Sequence, residues 1–478
     1  MFGLLSAMVP PSGAFVAISG ALALTMLVWR ALRPTCKVTF WEDGDHVKYD
    51  YVVVGGGPSG CMLAAELTKR FPGRSVCVVN KGGAPAALWR VYMVNLIGVV
   101  LPWLVPHEKY SLKSQKRQFA NCTLLGGNSN INAGVAPVPR EADIVASLGE
   151  SFLERWRVFS QPGGVMDSIS ENVSSTPGLE RLSSDLNTSG VHGGRIRVLK
   201  RGFWRLHPVD LLPTSVRVLV GSAKRILFDM EPSLDGGKKP KATGVFCELS
   251  EAKSPVALTA TRKVFLCAGA IESPALLIKS GIGPKEIVQR VVEENQVVSY
   301  NESVGANLQD HWVGRASAVV PARYAYPRLY PFILGYKHQA DGVAIGFGKF
   351  QLMGRNLLSF ATTQCANPGR LVLTPSGALE PYLPVGPDDM EQHCSGVAAH
   401  IGRLAKLGVH VLPRVGPLSP NWHLSCTLGI DTVCDASLAI LGTRGLYVAD
   451  ISCLRTIVPF NTQLVSYFVA FALAAQET

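Results

Sequence analysis

The chain has 478 residues, 47% hydrophobic and 17% charged, enough to bury a large core and too apolar for a disordered protein. Its 47 glycines and 31 prolines follow no short period, which argues against a solenoid and fits an α/β enzyme with long loops. The net charge of +11 is divided among small basic groups such as 113–117 and 238–241 without interleaved aromatic residues. A nucleic acid is therefore not expected as a partner; an anionic membrane surface, or no macromolecular partner at all, fits better.

The first 29 residues carry no charge, and the apolar run 13–29 is followed by Arg30, Arg33 and Lys37. At about 1.5 Å per residue the run just spans a bilayer if Ala31 and Leu32 contribute. An N-terminal transmembrane anchor over 1–45 is expected, with the catalytic part cytoplasmic because the positive charges follow the apolar run. Import into a mitochondrion or another organelle is the alternative, since the first 40 residues contain no acid. A second apolar run, 91–105, is too short to span and contains Pro102. It reads as a buried loop and helix, with a lid or a monotopic membrane contact as the alternative.

Residues 49–80, YDYVVVGGGPSGCMLAAELTKRFPGRSVCVVN, run in the order strand, glycine turn, amphipathic helix, strand. Gly55, Gly57 and Gly60 hold the three positions of a dinucleotide fingerprint. The first permits the tight turn, the second lets backbone N–H groups approach a pyrophosphate at a helix start formed by Pro58 and Ser59, and the third allows close packing of helix on strand. The second strand ends at Asn80, where an acid normally accepts the ribose hydroxyls; an amide oxygen still accepts one. These residues alone leave FAD and NAD open as cofactors.

The eleven cysteines show no C-x-x-C spacing, and Cys77, Cys247 and Cys267 sit in apolar strand-like runs. They read as buried thiols of a reducing compartment and not as a metal site or a disulfide frame; no histidine pair has metal-ligand spacing, so no metal is expected. Sequons at Asn121, Asn172, Asn187 and Asn301 point weakly toward a secretory route.

Further segments carry a resemblance. TLLGGNSNINAG (123–134) and GAIESPALLIKSGIG (269–283) resemble the two signature segments of the glucose/methanol/choline (GMC) flavin oxidoreductase family. VGANLQDH (304–311) follows, with Ala306 where the family has a glutamate, and 435–463 resembles the family's closing segment. The resemblance implies an FAD-binding Rossmann-like α/β domain from 46–145, 192–313 and 421–478. It also implies a discontinuous α+β substrate domain from 146–191 and 314–420, built on an antiparallel sheet, and trimmed because family members are usually longer. Around 369–404 the sequence itself passes from strand to proline-rich loop to an amphipathic helix near 389–404.

The same resemblance implies that Gly126, Gly127, Asn128 and Asn132 line the flavin, that Val220 sits by the adenine, and that Asp450 reaches the flavin from a strand end. It places His423 and Asn461 as the catalytic pair. Ile131 stands where some members tether FAD through a histidine, so FAD is expected to be noncovalent. The implied reaction is oxidation of a small-molecule alcohol at CH–OH: a neutral imidazole takes the hydroxyl proton as hydride leaves for the flavin, and Asn461 holds the oxygen. Asn461 also reads as an N-cap of the apolar helix that follows, whose N-terminus would favour negative charge on the reduced ring. His311, His207, His393, His400 and His410 read as structural. An NAD-linked dehydrogenase, or a catalytically silent flavoprotein or membrane scaffold suggested by Asn80 and Ala306, remain the alternatives, and the alcohol, electron acceptor and oligomeric state stay open.

Overall fold

The computed structural model describes residues 47–85, 106–112, 117–132, 134–172, 177–188, 192–195, 197–201, 204–232, 237–324, 334–340, 342–352, 355–412 and 418–477. The expected anchor within 1–45 and the apolar run 91–105 lie outside them. Among the described residues no helix is long and apolar enough to cross a membrane.

A six-stranded sheet organises the first region. β1 (Lys48–Val54) is buried from Tyr51 onward, as its run of valines requires of a strand covered on both faces. It leads through the glycine turn into α1 (Pro58–Arg70), where Pro58 sits in the first turn and needs no amide partner, and Lys69 and Arg70 lie in the last turn against the helix dipole. β2 (Val76–Asn80) runs parallel to β1 and is buried throughout. The long β3 (Arg217–Pro232) runs parallel to β2 over Arg217–Val220, then leaves to pair antiparallel with β4 (Lys238–Leu249). β4 pairs with the start of β5 (Val256–Leu266), whose last residues return to lie parallel to β1. The short strand Leu446–Val448 completes the sheet beside the end of β5.

This topology selects the site. β1, β2, β5 and Leu446–Val448 all point the same way, so Gly55, Lys81, Cys267 and Ala449 emerge together along one edge, the place where open parallel sheets bind their ligands. α2 (Gly269–Lys279) starts from that edge directly after β5.

A seven-stranded antiparallel sheet forms the second region: β6 (Trp312–Val319), β7 (Leu334–Ala340), β8 (Val343–Leu352) and β9 (Arg355–Thr362), joined by His192–Arg195, His410–Val411 and Ser419–Pro420. It thus draws on His192–Arg195, a segment the sequence reading grouped with the flavin domain. Side chains alternate between its faces. Ala316, Ala318, Val343, Ile345, Leu358 and Phe360 pack with Val397 and Leu404 of α3 (Pro387–Lys406) into a separate core. Val313, Arg315, Ser359 and Ala361 point the other way and line the main cavity.

The last element, α4 (Gln463–Ala474), is buried along its full length, as expected for a helix apolar on every side. Its Phe468 meets Trp156 edge to face with ring centroids 5.0 Å apart, a contact worth about 1 kcal/mol beyond burial. The ten described cysteines are free thiols.

Candidate active site

One cavity of about 690 Å³ runs from the glycine turn to His423 and Asn461, within the volume range of small-molecule and cofactor sites. At the turn, Gly55 has φ +102°, and a Cβ on Gly60 would lie 1.9 Å from the Gly55 carbonyl oxygen, so turn and helix are in direct contact. Gly57 differs: nothing lies within 4 Å of the place its Cβ would take, because its backbone faces the open cavity. Pro58 and Ser59 line the cavity beside it, and α1 has no acid in its first turn. A bare backbone, a helix N-terminus and no competing carboxylate there fit a pyrophosphate.

Asn80 lines the cavity with its side chain already committed. Its Oδ1 accepts from the Gly56 N–H (3.0 Å), and its Nδ2 donates to the carbonyls of Gly82 (2.7 Å) and Thr123 (3.0 Å). An amide can do both; a carboxylate would set negative oxygens against those two carbonyls. Beside it, Lys81 bridges Glu108 (2.7 Å) and Glu272 (3.1 Å). Burial pushes the Glu272 carboxyl up, but the Lys81 charge and the hydrogen bonds from Tyr110 and Lys81 together outweigh it and leave the group below its ordinary value.

The opposite wall comes from the first signature segment. Gly127, Asn128 and Asn132 line the cavity, with Asn128 Oδ1 accepting from the Cys122 N–H at 2.8 Å and Asn132 Nδ2 donating to Gln463 Oε1 at 2.9 Å. The buried Arg205 donates to both oxygens of Asn132, which fixes its amide orientation. Asp450 also lines the cavity, and its oxygens accept from the Gly269 N–H (2.8 Å), the Ser273 hydroxyl (2.7 Å) and the Ser452 N–H (2.9 Å). It ties the end of Leu446–Val448 to the start of α2.

Gly60 packs α1 on the turn. Gly126 and Val220 are not among the residues that line the cavity. Gly126, in left-handed backbone, packs against the ring of His207, where a Cβ would lie 2.0 Å from Cε1. Val220 sits in register with Asn80 and is buried in the sheet; the next residues along β3, Gly221 and Ala223, line the cavity instead.

At the far end, His423 Nε2 lies 3.1 Å from Asn461 Nδ2. Thirty-eight residues of sequence separate this pair, and the fold brings both into the cavity that holds the glycine turn. Asn461 is not the N-cap of α4: the helix starts at Gln463, Thr462 takes the cap position, and the Asn461 amide is turned to His423.

Sequence reasoning missed what stands behind this pair. His311, read as structural, places Nδ1 2.8 Å from His423 Nδ1, with the two ring planes 84° apart. Asp310 accepts from the main-chain N–H groups of His311 (2.7 Å), Trp422 (2.8 Å) and His423 (2.8 Å), fastening the two histidine-bearing loops together. Trp422 adopts φ +61° in the process. Burial pushes the Asp310 carboxyl up to about 7, against the pull of those N–H groups. Asp310, His311 and His423 present ligand atoms within 4.8 Å of one another, a grouping that could hold a metal ion and that no sequence spacing revealed. The Asp310 oxygens and His311 Nε2 are engaged with the main chain, which favours a hydrogen-bonded assembly over a ligand set. The only signal in the sequence was the adjacency of Asp310 and His311 within 304–311.

Fold and site together define a dinucleotide-binding α/β protein with a polar side-chain pair at the far end of the nucleotide cavity. Residues 209–313 match the family described as GMC oxidoreductase. Protein HOTHEAD of Arabidopsis thaliana is 33% identical over 303 residues, covering 57% of this chain and 47% of that protein. The oxygen-dependent choline dehydrogenase of Pectobacterium atrosepticum is 27% identical over 314 residues, covering 55% and 53%. The crystal structure of pyridoxine 4-oxidase from Mesorbium loti shares the fold with a TM-score of 0.70 at 18% identity, over 90% of this chain and 99% of that one. Residues 209–313 thus resemble the GMC oxidoreductase family, whose cofactor is FAD, and the chain shares its fold with that solved oxidase. It spans about half the length of the curated relatives it matches.

Proposed function

We propose that this chain is an FAD-dependent oxidoreductase that converts an alcohol CH–OH group to a carbonyl. The observation that carries this reading is the meeting of His423 and Asn461 in the cavity that begins at the glycine turn. Gly57, Pro58 and Ser59 would hold the pyrophosphate, Asn80 and Lys81 would stand beside the ribose, and Gly127, Asn128, Asn132 and Asp450 would border the ring system. With Ile131 where a tethering histidine would stand, binding is noncovalent. Bound there, FAD supplies the two-electron acceptor for the carbinol hydrogen.

The chain's own residues supply the proton chemistry. An alcohol carbon gives up hydride readily only as its hydroxyl loses a proton, so a basic nitrogen must lie within hydrogen-bond reach of that hydroxyl. A hydroxyl placed between His423 Nε2 and Asn461 Nδ2 meets an acceptor on one side and a donor on the other. His423 takes the proton, and Asn461 holds the oxygen as its negative charge grows. The second sheet contributes Val313, Arg315, Ser359 and Ala361 to the cavity wall.

The test is an anaerobic panel of choline-like, aryl, sugar and fatty alcohols mixed with FAD-loaded protein, read by bleaching of the flavin absorbance. Bleaching by one class supports the reading and names the substrate. A yellow protein bleached by none favours a catalytically silent flavoprotein, and a colourless protein that reduces NAD with an alcohol favours the NAD-linked alternative.

A further inference from the structure

The proposed base sits against a second histidine, and a main-chain carbonyl sets the direction of the hydrogen bond between them. His311 Nε2 lies 2.8 Å from the carbonyl oxygen of Val458. A carbonyl can only accept, so Nε2 carries the proton, and in a neutral ring Nδ1 is then the acceptor. The partner of that acceptor is His423 Nδ1, at 2.8 Å, which must therefore carry hydrogen. That assignment leaves Nε2 as the basic nitrogen of His423, the atom that meets Asn461 Nδ2 at 3.1 Å. An amide N–H donating to Nε2 agrees with it. Asn421 Nδ2 stands 3.2 Å from His423 Nδ1; with a hydrogen on Nδ1 the two ends of that amide exchange places, so that Oδ1 accepts from it.

The surroundings hold this arrangement in place. His311 is buried, and Asp310 pins the backbone of both histidines. With His311 neutral and its Nε2–H on the Val458 carbonyl, the Nδ1–H form of His423 is the tautomer that fits the contact between the two rings.

We propose that His311 is a positioning residue that fixes His423 in the tautomer whose Nε2 faces the substrate hydroxyl as a base. The inference rests on the reading of His423 given above and adds the reason that its basic nitrogen is the correct one. In the reaction the hydroxyl O–H bond breaks and its proton ends on His423 Nε2. The carbinol hydrogen leaves with both C–H electrons as hydride, for which bound FAD would be the acceptor, and the C–O bond becomes a carbonyl. The imidazolium so formed keeps its Nδ1–H bonded to neutral His311. Without that acceptor His423 is free to take the Nε2–H form, which cannot accept a proton from substrate.

The experiment uses the FAD-loaded full chain with ¹⁵N-labelled histidine and long-range ¹H–¹⁵N correlation. The His423 ring signals are assigned by their loss in His423→Ala. Wild type is expected to show a protonated Nδ1 and an unprotonated Nε2. In His311→Phe the Nε2–H tautomer should appear, and flavin reduction by alcohol should slow about 10- to 100-fold, part of what a positioned base contributes. In His311→Asn, whose Oδ1 replaces the lost acceptor, tautomer and rate should largely recover. A wild-type His423 protonated on Nε2, or a His311→Phe protein with tautomer and rate unchanged, overturns the proposal. If the Phe variant fails to fold, the wild-type spectrum and the Asn variant still decide it. A His423→Ala protein that reduces FAD at the wild-type rate removes the base itself; dependence on His423 with indifference to His311 removes only this inference.

Discussion

The two ends of the cavity are built on different principles. The nucleotide end is mostly backbone: one continuous stretch, 48–80, supplies strand, turn, helix N-terminus and second strand, and the essential feature of Gly57 is a missing side chain. The proposed reaction end is mostly side chains. Its parts come from 310–311, 421–423, 458 and 461, and their order exists only after the sheets have assembled. A backbone site should tolerate changes of side-chain chemistry and fail on added volume. The side-chain site should show the reverse.

The sharpest break of that contrast is Gly60→Val. With the Gly55 carbonyl 1.9 Å from where a Cβ would stand, the cost should be about 3 kcal/mol or more. Little folded, flavin-containing protein is expected in a thermal melt with flavin readout. Asn461→Ala comes next. Losing one donor to the substrate oxygen should slow the reductive half-reaction by about 10²-fold, with FAD content and melting temperature unchanged in stopped-flow and melting experiments.

Asn80→Asp tests the nucleotide end more gently. It replaces a donor to two carbonyls with a repelling carboxylate, so FAD-free protein should lose about 1–3 kcal/mol in a denaturant titration. An unchanged midpoint would mean that the amide contacts at Gly82 and Thr123 hold nothing together.

The smallest effect concerns pH. Burial holds the Asp310 carboxyl up at about 7 against its ordinary 3.8, so between these values the folded chain keeps a proton that the unfolded chain has released. Its stabilising contribution is full below about pH 4 and is lost as pH rises through 7. The melting temperature of wild type relative to Asp310→Asn should therefore fall from pH 5 to pH 8; a rising difference would contradict the shift.

What could be read from the sequence follows the same division. Gly55, Gly57 and Gly60 announced themselves because local backbone geometry demands them at fixed spacing. Resemblance alone brought His423 and Asn461 to notice, and the structure adds that they meet. His311 was hidden: an isolated histidine 112 residues from its partner has no periodicity to betray it, and Asp310 beside it looks like any loop acid. Val220 and Gly126 lie off the cavity wall for a related reason. Whether a residue faces a cavity or packs one position away depends on strand register and on what fills the space beside it, here Asn80 and the His207 ring.

The most direct test of a histidine base in the nucleotide cavity is anaerobic stopped-flow reduction of the bound FAD, comparing wild type with His423→Ala on the best alcohol of the panel. Equal FAD content and a reduction rate lower by about 10²- to 10⁴-fold is the expected result. An Ala variant that binds FAD and is reduced as fast as wild type would show that the proton leaves by another route.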